Sequence, residues 1–406
     1  MASPRFFRPG GPALIPALGI TQVLGYGALY YAFTVLAPRM TADFGWAPEW
    51  TYGGFAVGLL LGGAVAPVTG SLIDRYGTRL VMTIGSALAG LSLFGLAEAR
   101  GIVSYTVAMV ALQAVTTAVF YDAAFAALTQ ARGSQARRAI SQLTLIGGFA
   151  STLFWPLTSS LLGMFDWRGV YRLYGLSQIV VCLPLHLFFL PGRVKRPVVA
   201  ETGAAVPSGS QEPEAAYLTG DTRRRAFLLL ALAFSLQGFA VSAMAVHMLT
   251  LLQGFGLSAA VAVGIGAMLG PSQVAGRLAE MLFGRAVSPV TTAWASASLM
   301  PLGLALLLAG GALPVVAGLF AVAFGISVGL SSIVRGTVPL QLFGPVGFGA
   351  TMGKLSAPGL VIKAAAPLAF AVALERGGVM LSTLLLIAFS ALAAGALLLL
   401  ARSRPV

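Results

Sequence analysis

Asp122 and Lys363 each lie inside a long apolar run of the sequence. A charged group in apolar surroundings needs a partner of opposite charge, access to water or a change in its protonation state. Asp122 can therefore carry a proton in a coupled transport cycle, or it can pair with a basic residue, for which Arg75 and Arg79 are candidates. Lys363 can hold an anionic ligand, pair with Asp122, or stay solvated at the edge of a pocket.

Other polar and aromatic residues in the apolar runs are candidates for contacting a solute. Gln22 and Tyr26 are four residues apart and share a helix face, so they can line a central cavity; packing between helices is the alternative. Trp155 precedes Pro156 and can face that cavity or the membrane interface. The candidate substrate-binding residues are Gln22, Tyr26, Tyr121, Trp155, Gln237, His247 and Lys363.

Met244, His247 and Met248 fall on one face of a predicted helix, and thioether and imidazole ligands suit Cu(I). Methionine is also a common filler of hydrophobic cores, which makes a purely structural role the favoured interpretation. His247 alone can bind a substrate hydroxyl or respond to pH. The single cysteine, Cys182, excludes an internal disulfide and a multi-cysteine metal site. The sequence therefore predicts no metal site and no cofactor.

The composition predicts that these residues are carried by membrane-spanning helices. The chain is 58% hydrophobic and 9% charged, with a mean hydropathy of +0.90, whereas soluble domains are about 25% charged. Runs of about 20 apolar residues are long enough to cross a bilayer. Twelve such runs are present, at residues 12–37, 50–70, 80–98, 102–127, 139–163, 170–190, 226–252, 258–279, 288–310, 312–334, 348–374 and 378–401.

The distribution of charge predicts the topology. Most of the 25 basic residues fall in segments that alternate onto one side of the membrane, including both ends of the chain. The positive-inside rule then predicts a multi-pass protein with both termini in the cytoplasm. The net charge of +13 thus reflects topology and not a nucleic-acid partner. Residues 192–225 are polar and rich in Pro, Gly and Ser, which predicts a cytoplasmic linker between the halves 1–191 and 226–406.

A charged turn occurs between the second and third apolar runs, and a weaker copy follows about half a chain length later. The first copy has Gly70, Asp74, Arg75, Gly77 and Arg79; the second has Gly276, Glu280 and Arg285. The first resembles the loop 2–3 signature of the major facilitator superfamily, with Thr78 in place of the usual basic residue. The resemblance implies an all-α fold of 12 transmembrane helices, two six-helix bundles arranged as parallel pseudo-repeats, with these residues in gating.

Several further stretches, at 121–128, 136–140, 148–151, 155–157 and 335–340, resemble bacterial ArsK-type permeases, which export trivalent arsenicals and antimonials. This resemblance implies a secondary active transporter of a bacterial inner membrane, an antiporter for efflux of a toxic small solute such as a metalloid. In this hypothesis Asp122, as the carboxylate inside a span, couples transport to protons. An uncharged hydroxylated metalloid can be bound by hydrogen bonds from Tyr26, Tyr121, Gln237 and His247. The expected partners are the solute, protons and lipid, and a monomer is expected.

The main alternative is an organic-anion exchanger or uptake permease for oxalate-like or monocarboxylate substrates. Oxalate/formate exchangers of the superfamily have a substrate-binding lysine in span eleven, where Lys363 falls. Against this alternative, no intramembrane arginine is found that could complete a clamp for a dicarboxylate. Arg335 is assigned to a loop. A copper importer and a non-transporting receptor are less favoured, since the His-x-x-x-Met partner motif and a soluble sensor domain are both missing. Without a Walker loop or a nucleophile elbow, an enzyme is not expected.

Overall fold

Helices are the expected elements for this chain because in lipid each backbone N–H and C=O must be paired within its own segment. The computed structural model describes residues 10–192 and 217–402, and in these ranges every regular element is helical. The α-helices are α1 (Leu14–Tyr26), α2 (Ala32–Phe44), α3 (Pro48–Tyr76), α4 (Thr78–Ala97), α5 (Ile102–Val119), α6 (Tyr121–Arg132), α7 (Arg137–Gly147), α8 (Ala150–Leu161), α9 (Trp167–Ser177), α10 (Leu183–Phe189), α11 (Gly220–Gly254), α12 (Ala259–Ala267), α13 (Leu269–Phe283), α14 (Pro289–Gly310), α15 (Pro314–Phe343) and α16 (Phe348–Arg402).

Ten helical stretches in the described ranges are long and apolar enough to cross a membrane, so the chain is a multi-pass membrane protein. Two of them, Ile102–Leu161 with 60 residues and Phe348–Arg402 with 55, are each long enough to cross twice. The first is interrupted by a 3₁₀ turn at Gly133–Ala136, and the second by Gly378, whose φ of 65° is not helical. The count of 12 spans stays a prediction that requires both stretches to cross twice.

Three predicted spans are broken in their interior. A π-helical turn at Gly27–Tyr31 joins α1 to α2, and another at Gln178–Cys182 joins α9 to α10. Between α5 and α6 the backbone of Phe120 is extended, with φ −82° and ψ −170°. Gln22 stabilises this break, because its Nε2 donates to Val119 O at 2.7 Å. Gln22 is fully buried, so the prediction that it lines a hydrated cavity is wrong.

The helices form two halves, which we call the first half (α1–α10) and the second half (α11–α16). Helix α11 begins at Gly220, six residues before the predicted start of the second half. Residues 193–216 of the predicted linker and the predicted cytoplasmic termini, 1–9 and 403–406, lie outside the described residues. One hydrophobic cluster of the first half also contains Leu340, Phe348 and Met352, so the two halves pack directly against each other.

Small residues on α3 allow two different helices to approach it closely. The sequence has Gly54, Gly58, Gly62, Ala66 and Gly70 at four-residue intervals. The first three face α5, where a Cβ at Gly62 would lie 3.1 Å from Gln113 O. The end of the strip faces α16, where a Cβ at Gly349 would lie 2.7 Å from Gly70 O. Such close backbone contact is how helices associate in lipid.

Candidate functional site

Asp74 of the first motif copy joins the two halves at one end of the molecule, which we call the motif end. Its Oδ1 accepts from Gly349 N at 3.0 Å and its Oδ2 from Ala350 N at 2.7 Å. Both amides belong to the first turn of α16, which has no intrahelical partners for its N–H groups and carries the positive end of the helix dipole. Gly77 of the same motif copy, with φ 87°, follows the last residue of α3 and ends the helix.

The motif arginines have other contacts. Arg79 Nε donates to Leu190 O at 2.8 Å, which ties the start of α4 to the end of the first half. The Arg75 guanidinium lies 5.2 Å from the centre of the neighbouring Tyr76 ring and is exposed. Neither arginine pairs with Asp122, so that predicted pairing is wrong.

Glu280 of the second motif copy makes a comparable contact between halves. Its carboxylate accepts from Ser141 Oγ at 2.6 Å and lies 3.3 Å from Arg137 Nη2. Arg137 also donates to Gly284 O at 2.6 Å, at the end of α13. The Glu280 side chain is 4% exposed, whereas Asp74 is exposed. Gly276 packs closely against Ile326 of α15; the side chain of Arg285 lies outside the described part of the structure.

Asp122 connects the halves deeper in the molecule. Its Oδ2 accepts a hydrogen bond from Ser356 Oγ of α16, and its Oδ1 lies 3.6 Å from Arg335 Nε of α15. Arg335 Nη2 in turn donates to Ser356 Oγ at 2.9 Å. The assignment of Arg335 to a loop is wrong: α15 continues past Pro339 to Phe343, so the guanidinium lies inside the span. Asp122 and Arg335 are 25% and 29% exposed, which indicates a space that water can enter.

Two further basic side chains of the second half point into the interior. Arg277 on α13 is 7% exposed, and its Nε donates to Ser332 Oγ at 3.1 Å. Lys363 on α16 is half-buried, and its ammonium interacts electrostatically with Arg335 and Asp122. In the part of the chain that the structure describes, neither Arg277 nor Lys363 has a carboxylate within salt-bridge distance.

The depth of these groups follows from their positions along the helices. At about 1.5 Å per residue, Arg277 lies roughly 9 Å from the motif end of α13, Ser356 roughly 12 Å from the start of α16, and Lys363 roughly 22 Å from that start. A bilayer core is about 30 Å thick, so all three groups lie within it, with Arg277 and Ser356 on the motif side of its midplane and Lys363 beyond the midplane. Pro367 frees the carbonyl of Lys363, which accepts from Ser242 Oγ at 2.8 Å.

Aromatic rings of the first half face the same interior space. Tyr26 stacks on Phe120 with ring centres 4.0 Å apart and lies 4.8 Å from Tyr121. Tyr31 meets Trp155 edge-on at 6.1 Å. We call these five residues the aromatic wall. The Tyr121 hydroxyl packs against Gly147 and the Arg277 guanidinium of the second half packs against Gly148, so the wall and this cation meet at one junction.

The remaining predicted binding residues of the second half have other surroundings. Gln237 is 5% exposed, and Met244 and Met248 are buried in the core of the second half. His247 Nε2 lies 2.9 Å from Pro367 O, to which it can donate. The imidazole therefore makes a contact between α11 and α16, and the two methionines pack in the hydrophobic core. No cluster of three or more His, Cys, Asp or Glu residues that suits a metal occurs among the described residues.

The cavity opens at the end opposite the motif end. Helix α8 is exposed around most of its circumference, with Trp155 50% exposed, and only Ala262 and Ile265 of α12 are buried. One hydrophobic cluster at the motif end contains residues of both halves, whereas the two clusters at the opposite end each contain residues of one half only. The structure therefore represents a state that is closed at the motif end and open at the other.

Sequence reasoning missed Arg277, Arg335 and Ser356 as cavity residues and Arg137 as a partner of Glu280. Arg277 directly follows Gly276 of the second motif copy, and Arg335 is assigned to a loop after the apolar run 312–334. The signal that could have found Arg335 was Pro339: proline is tolerated within membrane helices, so the run from 314 need not end before it. Ser356 has no distinguishing signal in the sequence.

Apolar helices around a polar central cavity that is closed at one end define a multi-pass membrane transporter. Residues 18–356 match the Major Facilitator Superfamily. The chain belongs to this superfamily, whose members transport small solutes and are not enzymes.

Solved structures and curated relatives agree with this assignment. The human organic anion transporter MFSD10 (TETRAN) superposes with a TM-score of 0.73 at 18% identity, covering 95% of this chain and 98% of that one. The proton:xylose symporter XylE superposes with a TM-score of 0.71 at 12% identity, and the superposition covers 97% of this chain and 96% of that one. Human monocarboxylate transporter 11 is 30% identical over 360 residues, 84% of this chain and 70% of that protein. The mouse protein of the same name is 28% identical over 215 residues. That match covers 53% of this chain and 46% of the mouse protein, which is less than half of its length.

Proposed function

We propose that this protein transports small organic anions that carry a carboxylate group, and that it does so by alternating access. The observation that carries the proposal is the charge of the cavity: Arg277, Arg335 and Lys363 border it, and Asp122 alone opposes them among the groups described above. Buried charges in membrane proteins are costly unless they are paired, so uncompensated cations favour an anionic solute. Arg277 and Lys363 are the binding residues we assign to the carboxylate.

The similarity findings support the same substrate class. One superposed structure is of an organic anion transporter, and the curated relatives are monocarboxylate transporters. Metalloid efflux, the other hypothesis from the sequence, is less well supported, because Gln237 is buried and His247 faces the Pro367 carbonyl. Proton coupling through Asp122 is kept as part of the proposal, and its test is given in the Discussion.

We also propose the repeated architecture and the predicted orientation. Asp74 on α3 contacts the first turn of α16, and Glu280 on α13 contacts residues near the start of α7. The two motif copies thus contact corresponding places in opposite halves, which supports two six-helix bundles related as parallel repeats. The motif end then faces the cytoplasm, as the positive-inside rule predicts, and the open end faces outward.

The test is counterflow in proteoliposomes that contain the purified full-length protein. Labelled lactate, pyruvate and oxalate are exchanged against the same unlabelled anions, with arsenite as a competitor. Arg277→Gln and Lys363→Gln should each lower exchange about tenfold or more, because each removes a charge-assisted hydrogen bond to the carboxylate. Lys354→Gln is the matched control, since Lys354 lies on the same helix but is exposed.

Exchange of a carboxylate that depends on Arg277 and Lys363, but not on Lys354, supports the proposal. If the protein exchanges none of the three carboxylates, or if Arg277→Gln and Lys363→Gln exchange them as fast as the unaltered protein, the proposal is wrong. Arsenite transport without carboxylate exchange restores the metalloid hypothesis.

A further inference from the structure

The two sides of the cavity differ sharply in chemistry. The aromatic wall belongs entirely to the first half, and the basic residues Arg277, Arg335 and Lys363 belong entirely to the second. A solute between the halves therefore meets rings on one side and positive charge on the other. A small hydrophilic dianion would use only one of these two sides.

The rings of the wall form a continuous series that runs toward the open end. Tyr121 lies 4.8 Å from Tyr26, and Tyr26 lies 6.4 Å from Tyr31. The series ends at Trp155, which is 50% exposed and has one ring face free of the ring contacts described above. An exposed indole at the mouth of a cavity is well placed to stack on a planar solute.

The local backbone at Tyr31 is irregular in a way that supports a binding role. Tyr31 is the last residue of the π-helical turn Gly27–Tyr31, and Phe154 packs so closely on Gly27 that a Cβ there would overlap its ring. Single π-helical turns cost backbone stability and occur frequently at functional sites. Here the turn brings Tyr31 against Trp155 on α8, and so completes the open-end side of the wall.

The partners of the two arginines explain why a solute with a single carboxylate is enough to neutralise the charge that remains on this side of the cavity. Arg335 already has Asp122 and Ser356 as partners. Arg277 has only the Ser332 hydroxyl as a polar partner in the described residues, and it is the cation that meets the wall at the junction beside Tyr121. One carboxylate on Arg277 compensates it and leaves the rest of the solute against the rings.

We propose that the substrates of this transporter are aromatic monocarboxylates, with the carboxylate on Arg277 and the ring against Tyr31 and Trp155. The inference rests on the proposed function, because it names the subclass of organic anion that the same cavity accepts. Stacking favours a planar ring over a saturated ring of the same size and charge, beyond what burial of apolar area contributes.

The test is competition with counterflow of labelled lactate or pyruvate, using benzoate, cyclohexanecarboxylate, acetate and oxalate as probes. Benzoate should inhibit at concentrations about three- to tenfold lower than cyclohexanecarboxylate, and lower still than acetate and oxalate. Trp155→Leu and Tyr31→Leu should each reduce the ratio between benzoate and cyclohexanecarboxylate toward one. Trp155→Phe should keep most of it, because phenylalanine retains a ring.

Trp294→Leu is the matched control, since Trp294 is also partly exposed, at 37%, but lies on α14, away from the wall. In this control, the ratio between the inhibitory concentrations of benzoate and cyclohexanecarboxylate should equal that of the unaltered protein. Carboxylate exchange with no preference for benzoate, or a preference that survives Trp155→Leu and Tyr31→Leu, overturns this inference and leaves the proposed function intact. If no carboxylate is exchanged at all, both fail.

Discussion

Asp122 is a carboxylate whose partners all belong to the opposite half of the molecule. Ser356 Oγ and the Arg335 guanidinium hold it in the state that is closed at the motif end. When the halves separate at that end, as alternating access requires, the carboxylate loses both partners at once. The contacts of Asp122 therefore depend on whether the motif end is closed or open.

Asp122→Asn should separate proton coupling from exchange. The amide keeps a hydrogen-bond acceptor for Ser356 but cannot bind and release a proton, so accumulation driven by an imposed pH gradient should fall at least tenfold. Counterflow without a gradient should stay within about threefold of the unaltered protein. Both are measured with the labelled carboxylate in the same proteoliposomes.

The matched control for Asp122→Asn is Asp43→Asn. Asp43 pairs with Arg168 at 3.1 Å outside the cavity, so both activities should be preserved. Gradient-driven accumulation that survives in Asp122→Asn would show that Asp122 only holds the halves together.

At the scale of the elements, the junction between α7 and α8 accommodates groups from two directions. Gly147 faces the Tyr121 hydroxyl of its own half. Gly148 faces Arg277 of the other half, and a Cβ at Gly148 would overlap the guanidinium at Nη1. The pair of glycines therefore leaves room at this junction for the Arg277 side chain, to which we assign anion binding.

Gly148→Ala should weaken anion binding although alanine adds only one methyl group. Overpacking at a close contact forces the neighbouring side chain to move, and displacement of Arg277 should raise the half-saturating anion concentration about tenfold. The control is Gly395→Ala, because no atom lies within 4 Å of a Cβ at Gly395. Equal half-saturating concentrations for Gly148→Ala and the control would contradict a role of this junction in positioning Arg277.

For the whole molecule, two contacts between halves stabilise the state closed at the motif end, and they differ in strength. Asp74 is exposed, and a carboxylate at an exposed helix N-terminus contributes about 0.3–1 kcal/mol. Glu280 is 4% exposed and is paired with both Arg137 and Ser141. Removing one member of a buried pair is far more costly, about 3–5 kcal/mol. The Glu280 contact should therefore dominate the conformational equilibrium.

Glu280→Gln should open the motif end more than Asp74→Asn does. Met352 is a suitable reporter, because it is 1% exposed in a cluster formed by both halves. In a Met352→Cys, Cys182→Ser background, Glu280→Gln should accelerate alkylation by N-ethylmaleimide tenfold or more, and Asp74→Asn by no more than about fivefold. Equal acceleration by the two variants would mean that burial does not decide which contact holds the closed state.

Composition and periodicity alone determined the all-helical membrane class, most span positions and the two motif copies. These are local properties: apolar runs of bilayer length and a charged turn are visible without knowing any contact. The sequence also identified Asp122 and Lys363 as candidate functional residues. An ionisable side chain in an apolar run needs a partner or water, whatever its neighbours in the fold are.

Tertiary structure decided which charges meet. Asp122 pairs with Arg335, more than two hundred positions away, and not with the nearer motif arginines, because α6 faces α15 and α16 across the junction between halves. Gln22 does not line the cavity, because its side-chain amide donates a hydrogen bond to Val119 O, next to the break at Phe120. Pairings between distant helices depend on how the two halves pack, and periodicity within one helix does not encode that packing.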